Sequence, residues 1–189
     1  ADAYINMGVV LKDQGKLDKA ITTYNKAILL NPNYAKAHTN LGVALHDQGK
    51  IDEAITAYKK SILLNPNYAE TYHNLGIALY DQGKLEDSIE VYNKVLLLKP
   101  DYAEAYNSLG NAFKDQGKLD EALENYNKAF LCKPDYADAY FNIGVVFKDQ
   151  GKFDKAIKGF NKFLLLKPDH AEAYNNLGVT LHEQGKLNE

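Results

Sequence analysis

The sequence predicts an all-α fold, an α-solenoid of stacked antiparallel helix pairs, and three observations carry that prediction. The tetrapeptide DQGK stands at 13–16, 47–50, 81–84, 115–118 and 149–152 and returns as EQGK at 183–186, so the acids Asp13, Asp47, Asp81, Asp115, Asp149 and Glu183 are each 34 residues apart. A fixed period in this range marks a stacked repeat architecture. The punctuating residues keep the same period: all five prolines fall at repeat position 32, and of 13 glycines six fall at position 8, six at position 15, and only Gly159 is out of register. Within each period, two stretches carry apolar residues at helical spacing. Repeats therefore run 1–34, 35–68, 69–102, 103–136 and 137–170, with a partial copy at 171–189, as a single array over 1–189.

Residues 103–136 show how one repeat is built. Ala103, Tyr106, Leu109, Gly110 and Phe113 lie on one face of a first helix. DQGK then interrupts, and its glycine can take the left-handed conformation that ends a helix. Leu119, Ala122, Leu123, Tyr126, Ala129 and Phe130 form the face of a second helix. Proline at position 32 cannot continue it, and the unit reads as an αα-hairpin. Asn or Asp follows at position 33, with an acid three residues later in Asn67–Glu70, Asp101–Glu104, Asp135–Asp138 and Asp169–Glu172; Asn33–Lys36 breaks the pattern. That spacing predicts an N-cap with a reciprocal acidic partner. Glycine at position 8 is expected to admit a close neighbour. Of 14 tyrosines, 13 fall at positions 4, 24 or 34 and only Tyr80 does not, so aromatics are expected to fill the space between helices. One repeat cannot bury its apolar face alone, and stacking makes the core continuous.

Composition excludes several functions. Hydrophobic residues make up 46% and charged residues 25%, with a net charge of −3. Phosphate binding needs a basic face, so no nucleic-acid partner is expected. No apolar run is long enough to span a bilayer, so no membrane partner is expected either. Cys132 is the only cysteine, which rules out an intrachain disulfide or a cysteine metal cluster and suits a reducing, cytoplasmic setting. No signal peptide is visible. The chain opens on Ala1 and stops at Glu189 inside a repeat, so it reads as an excised fragment, with room for targeting segments or a catalytic domain outside it.

Gly8, Ala20, Tyr24, Ala27 and Pro32, on the 34-residue period, resemble the tetratricopeptide repeat, and the resemblance covers the whole chain. Ser88 departs from the alanine, and Val95 and Phe163 depart from the small residue at position 27. Phe163 stands one turn after Gly159, which suggests volume compensation on one helix. The pentatricopeptide alternative has a 35-residue period and lacks this proline pattern. The resemblance implies a right-handed superhelix with first helices lining the concave surface, and a binding scaffold for peptides or protein segments rather than an enzyme. It implies no cofactor.

Helical geometry puts positions 2, 5, 6, 9, 12 and 13 away from the buried seam. Position 6 reads Asn6, Asn40, Asn74, Ser108, Asn142 and Asn176. An asparagine amide both donates and accepts, which matches the main chain of an extended peptide. The column is similar to the asparagine ladder in the repeats of O-linked N-acetylglucosamine transferases. The other reading is an amide that bridges adjacent helices, and Ser108 interrupts the column. Position 2 reads Asp2, Lys36, Glu70, Glu104, Asp138 and Glu172, five acids that suit a helix N-terminus and one lysine. The position 13 acids, Asp47, Asp81 and Asp115 among them, oppose the dipole at the helix end, so each either makes a fixed hydrogen bond in the turn or faces a ligand. Position 9 reads Val9, Val43, Ile77, Asn111, Val145 and Val179, an apolar stripe beside the asparagines. Tyr80, His46 and His182 at position 12, with Phe141 and His73 at position 5, are expected to set specificity as exposed anchors. His38 and His170 stand at tyrosine positions as packing substitutes. No two histidines have metal-ligand spacing within a helix. No basic residue stands at positions 5 or 9, which excludes the clamp for acidic carboxyl tails found in some tetratricopeptide proteins. The expected function is a scaffold that holds an extended protein or peptide segment along the asparagine column. Substrate recruitment for a larger transferase is an alternative. So is self-association through the uncapped last helix, with its face of Ala171, Tyr174, Leu177, Gly178 and Leu181. No nucleophile–base pair or phosphate loop appears.

Overall fold

Each DQGK ends a helix in the way its glycine predicts. In a computed structural model, which describes residues 1–185, the six glycines at position 15 have φ between 67° and 79°. The amide of Lys16 donates to the Leu11 carbonyl at 2.9 Å and that of Gly15 to the Lys12 carbonyl at 2.8 Å. These are the two bonds of a Schellman motif, and the same pair recurs with Lys50 and Gly49 on Leu45 and His46. Lys186, at the end of the last tetrapeptide, lies outside the described residues.

The described residues form eleven α-helices and no strand, in two compact units, Ala1–Pro100 and Asp101–Glu189. The first unit holds α1 (Asp2–Asp13), α2 (Leu17–Leu30), α3 (Ala35–Asp47), α4 (Ile51–Leu64), α5 (Ala69–Asp81) and α6 (Leu85–Leu98). The second holds α7 (Ala103–Asp115), α8 (Leu119–Cys132), α9 (Ala137–Asp149), α10 (Phe153–Leu166) and α11 (Ala171–Glu183). Odd-numbered helices are the first of each pair. In each unit every helix packs on the next in sequence, and consecutive first helices also touch: α1 with α3, α3 with α5, α7 with α9, α9 with α11.

The pairs close around one contact. Tyr24, Tyr58, Tyr92, Tyr126 and Phe160, all at position 24, are buried. Each ring lies on the position 8 glycine of its own repeat. A Cβ on Gly8 would sit 2.3 Å from the Tyr24 ring, and one on Gly144 would sit 2.7 Å from Phe160. Alanine, serine or alanine at position 20 (Ala20, Ala54, Ser88, Ala122, Ala156) is also fully buried beside it. Truncating such a ring in a close-packed core costs about 3–5 kcal/mol.

Three details differ from the sequence expectation. The N-cap of α3, α5, α7 and α9 is the tyrosine at position 34, whose side chain makes no capping bond. Position 33 is a turn residue: the Asn33 amide donates to Asn31 Oδ1 at 3.3 Å, and Asn67 repeats this on Asn65. Proline at 32 sets this turn, so the acids three residues on have no cap to reciprocate. The exception is α11, where Nδ1 of His170 accepts from the Ala173 amide at 3.3 Å. Next, Phe163 does not fill space beside Gly159. A Cβ on Gly159 would meet the Gly144 backbone at 3.0 Å, so α10 presses directly on α9. Phe163 instead packs with Ala137, Leu164 and Ala173, its ring edge-on to His170 at 4.9 Å. Last, the first unit carries a buried hydroxyl cluster. Thr39 Oγ1 lies 2.7 Å from both Ser61 Oγ and Thr71 Oγ1. All three side chains are buried, and their mutual hydrogen bonds offset the desolvation that burial imposes.

Candidate functional site

The first helices carry the candidate positions, and the structure places each. Position 6 is a half-buried row: Asn40, Asn74, Ser108, Asn142 and Asn176 are intermediate, and Asn6 is exposed. Position 9 is likewise half-buried from Val9 to Val145, while Val179 is exposed. The tips of neighbouring first helices meet at positions 12 and 13, where Nε2 of His46 on α3 lies 2.8 Å from Oδ2 of Asp81 on α5. Tyr80 is half-buried, and Asp47 and Asp115 are exposed at their helix ends.

The two units use this row differently. In the second unit the asparagines are occupied. Nδ2 of Asn142 donates to Oδ1 of Asn107 at 2.9 Å and of Asn111 at 3.2 Å. The Asn111 acceptor also takes the Tyr126 hydroxyl at 2.8 Å. Nδ2 of Asn176 donates to the Glu172 carbonyl at 3.0 Å, and its Oδ1 accepts Nζ of Lys148 at 2.9 Å. These are amides bridging adjacent helices. In the first unit, Nδ2 of Asn40 and the Tyr24 hydroxyl are buried with no hydrogen-bond partner among the described residues. Burial pushes the Tyr24 phenol up to about 12, and the carboxylates of Asp13 and Asp47 push it the same way. Tyr58 is raised by burial and by Asp47. The hydroxyls of Tyr24 and Tyr58 therefore feel the acids of the first two DQGK tetrapeptides.

Position 5 is buried or half-buried from Ile5 to Phe141 and exposed at Asn175. Ile5, Thr39 and Asn107 are buried. The His73 ring packs 5.8 Å from Tyr92, and Phe141 lies 5.7 Å from Phe160 and 5.2 Å from Phe163. One turn before the position 8 glycine, each of these two half-buried rings lies against the position 24 ring of its own repeat. His38 is buried, with Nε2 3.0 Å from the Pro32 carbonyl.

Asp13 pairs with Lys12 at 3.1 Å and Asp115 with Lys114 at 3.6 Å, both at the surface. The letter of DQGK that joins repeats is the glutamine, which sequence reasoning missed. Nε2 of Gln48 donates to Asp18 Oδ1 at 2.7 Å, Gln82 to Asp52 at 2.6 Å and Gln184 to Asp154 at 2.8 Å. The signal was present: position 18 is acidic in every full repeat (Asp18, Asp52, Glu86, Asp120, Asp154). Position 2 acids stay in the same layer, Asp138 with Lys167 at 2.7 Å and Glu104 with Lys133 at 3.6 Å. Another missed feature is the exposed leucine at position 29, seen in Leu29, Leu63 and Leu97 of the first unit.

Among the described residues no group of His, Cys, Asp or Glu could hold a metal, and no helix is long and apolar enough to cross a membrane. Helix pairs that repeat every 34 residues, each closed by a ring on a glycine and three of them bonded to a neighbouring pair by Gln and Asp, define an all-α repeat solenoid of the protein-interaction class. The model of the tetratricopeptide repeat matches at 8–49, 44–83, 76–117, 110–151 and 146–185, and the chain belongs to that family. It is similar to MamA, at 32% identity with a TM-score of 0.75 over 87% of this chain and 96% of that one. It is also similar to YrrB, described as a tetratricopeptide protein with an unusual peptide-binding site, at 25% identity with a TM-score of 0.70 over 91% and 89% of the two chains. PilF of Pseudomonas aeruginosa shares the fold, with a TM-score of 0.86 at 19% identity over 98% and 86% of the two chains. No curated protein matches the sequence.

Proposed function

We propose that the chain is a scaffold whose first unit holds an extended peptide along α1, α3 and α5, with the amides of Asn6, Asn40 and Asn74 meeting its main chain. The observation that carries this reading is the buried Asn40 Nδ2 without a partner. A buried amide N–H left unmade costs about 1–3 kcal/mol, and a peptide carbonyl removes that cost. Val9, Val43 and Ile77 supply an apolar strip beside the amides for side chains of the ligand. His46, Tyr80, Asp47 and Asp81 at the helix tips bias its charge. The likeness to YrrB supports a peptide as the class of ligand. In the second unit Ser108, Asn142, Asn176 and Asp115 stand at the equivalent repeat positions, with Asn142 and Asn176 engaged internally.

The test is a double substitution, Asn40→Ala with Asn74→Ala. Peptides selected from a random displayed library on the unaltered protein are titrated against both forms. Affinity should fall at least about tenfold, as expected for losing one or two hydrogen bonds to a buried partner, with an unfolding midpoint that does not fall. Equal affinity rejects the reading.

A second reading is self-association through α11, favoured by Tyr174 and Val179, which are 55% and 41% exposed beside Gly178. Sedimentation of the chain and of Tyr174→Glu over a range of concentrations decides it: a mass that does not rise with concentration rejects it.

A further inference from the structure

Three departures from the repeat pattern converge on one cavity of the second unit, remote from the asparagine row. It lies between α8 and α10, is floored by α9, and has a volume of about 360 Å³. That is enough for a small ligand or an anchoring side chain.

The first departure is aromatic. Position 28 is Ile28, Ile62 and Leu96 in the first three repeats but Phe130 here, and position 11 is leucine in those repeats but Phe147 here. Phe130 stacks on Tyr140, with centroids 5.5 Å apart and planes 23° apart. Phe130, Tyr140 and Phe147 line the cavity and all are half-buried. The second is Gly159, in the lining where other second helices carry Thr23, Ala57, Val91 and Asn125, whose lack of a side chain lets α10 lie directly on α9.

The third is charge. Lys155, Lys158 and Lys162 rim the cavity. Spacings of three and four put them on one helix face. The matching positions read Glu53, Thr56 and Lys60 on α4, Asp87, Glu90 and Lys94 on α6, and Glu121, Glu124 and Lys128 on α8. Only α2, with Lys19, Thr22 and Lys26, is free of acids there. No carboxylate lies within ion-pair distance of Lys155, Lys158 or Lys162 among the described residues. Two of them are instead drawn over the cavity's rings, Nζ of Lys155 5.2 Å from Phe147 and Nζ of Lys162 5.9 Å from Tyr140. On a chain of net charge −3, three unpaired ammonium groups around an aromatic floor are a local inversion of charge.

We propose that this cavity is a second docking site, taking an acidic peptide segment through one bulky apolar side chain in the aromatic floor and flanking carboxylates on the lysines. The spacing favours a peptide over a single phosphate. Lys155 and Lys162 are seven residues apart, roughly 10 Å along the helix, which is the span of about three residues of extended chain. Carboxylates three residues apart, with Phe or Leu between them, match that rim.

The experiment uses the full chain and fluorescein-labelled octapeptides of sequence Gly-Asp-Glu-Phe-Leu-Glu-Asp-Gly. One control has alanine for the two apolar residues and another has asparagine and glutamine for the acids. Fluorescence anisotropy is read against the unaltered protein, against Lys155→Glu/Lys158→Glu/Lys162→Glu, and against the Asn40→Ala/Asn74→Ala form. The lysines are exposed, and far-UV circular dichroism confirms that the triple variant folds. Binding of the acidic peptide should weaken about tenfold or more with either control or with the triple variant, weaken further as salt is raised, and stay unchanged in the asparagine variant. Absence of binding, equal binding to the triple variant, or a loss confined to the asparagine variant overturns the proposal. The last outcome would place the acidic peptide on the first-helix row instead.

Discussion

The same substitution, tyrosine to phenylalanine at repeat position 24, should have opposite effects in repeats 1 and 4. Both rings are buried on a glycine, and Phe160 shows that the notch accepts a ring without a hydroxyl. They differ in what the hydroxyl meets. That of Tyr24 is buried with no partner, and an unsatisfied buried group costs about 1–3 kcal/mol. Tyr24→Phe should therefore stabilise the protein by about 1 kcal/mol. The Tyr126 hydroxyl donates to Asn111 Oδ1 at 2.8 Å, so Tyr126→Phe should destabilise by about 1 kcal/mol. For a chain of this size the two variants should melt roughly 4–8 °C apart, followed by circular dichroism at neutral pH. The Tyr24 variant should also lose a pH dependence. The Tyr24 phenol is raised to about 12 by burial and by Asp13 and Asp47. Its contribution is therefore complete below the unfolded value near 10 and is lost as pH rises from there through 12. Over that window Tyr24→Phe should lose less stability than the unaltered chain. Two variants that shift the melt in the same direction by similar amounts refute the reasoning.

Glycine at position 8 gives a second contrast. Gly42→Ala should destabilise by about 3 kcal/mol, because its Cβ would fall 2.5 Å from the buried Tyr58 ring and overpacking of that kind is costly. Gly178→Ala should stabilise by about 0.5–1 kcal/mol, since its Cβ meets nothing within 4 Å and alanine is the better helix former; thermal unfolding checks both. In the hydroxyl cluster, Thr71→Val alone should cost about 1–2 kcal/mol by leaving Thr39 and Ser61 short of a partner. The triple change Thr39→Val, Ser61→Ala and Thr71→Val should be closer to neutral, because no polar group is then stranded. Urea unfolding of the unaltered chain, the three single variants and the triple tests this, and a triple variant costing the sum of its singles would contradict it.

The helix pairs were legible because their causes are local and repeated. Glycine at 15, proline at 32 and the two apolar stretches each act within a turn or two of themselves. The N-cap was misread for a related reason. Asn at 33 is as good a turn residue as a cap, and only the geometry after Pro32, with Asn31 accepting the Asn33 amide, decides between them. The hydroxyl cluster was not legible, since Thr39, Ser61 and Thr71 each pass individually as small residues and are joined only by packing. The glutamine of DQGK lay between these cases. Its partner at position 18 is constant, but nothing short of the stacked repeats shows that position 14 of one repeat reaches position 18 of the repeat before.

The asparagine column shows why a site is harder to read than a fold. Asn40 and Asn142 occupy the same repeat position and sit on equivalent helices, yet one has a buried free donor and the other is bound twice. The difference comes from the preceding repeat. Asn142 finds Asn107 and Asn111 at positions 5 and 9 of α7, whereas Asn40 faces a repeat with Ile5 and Val9 there. An amide beside apolar neighbours is left with a hydrogen bond unmade, while one beside other amides spends it on the fold. Whether the letter at position 6 is tied up in the fold therefore depends on the letters at 5 and 9 one repeat earlier, and under the proposed reading that dependence makes Asn40, and not Asn142, the amide to test against an extended ligand.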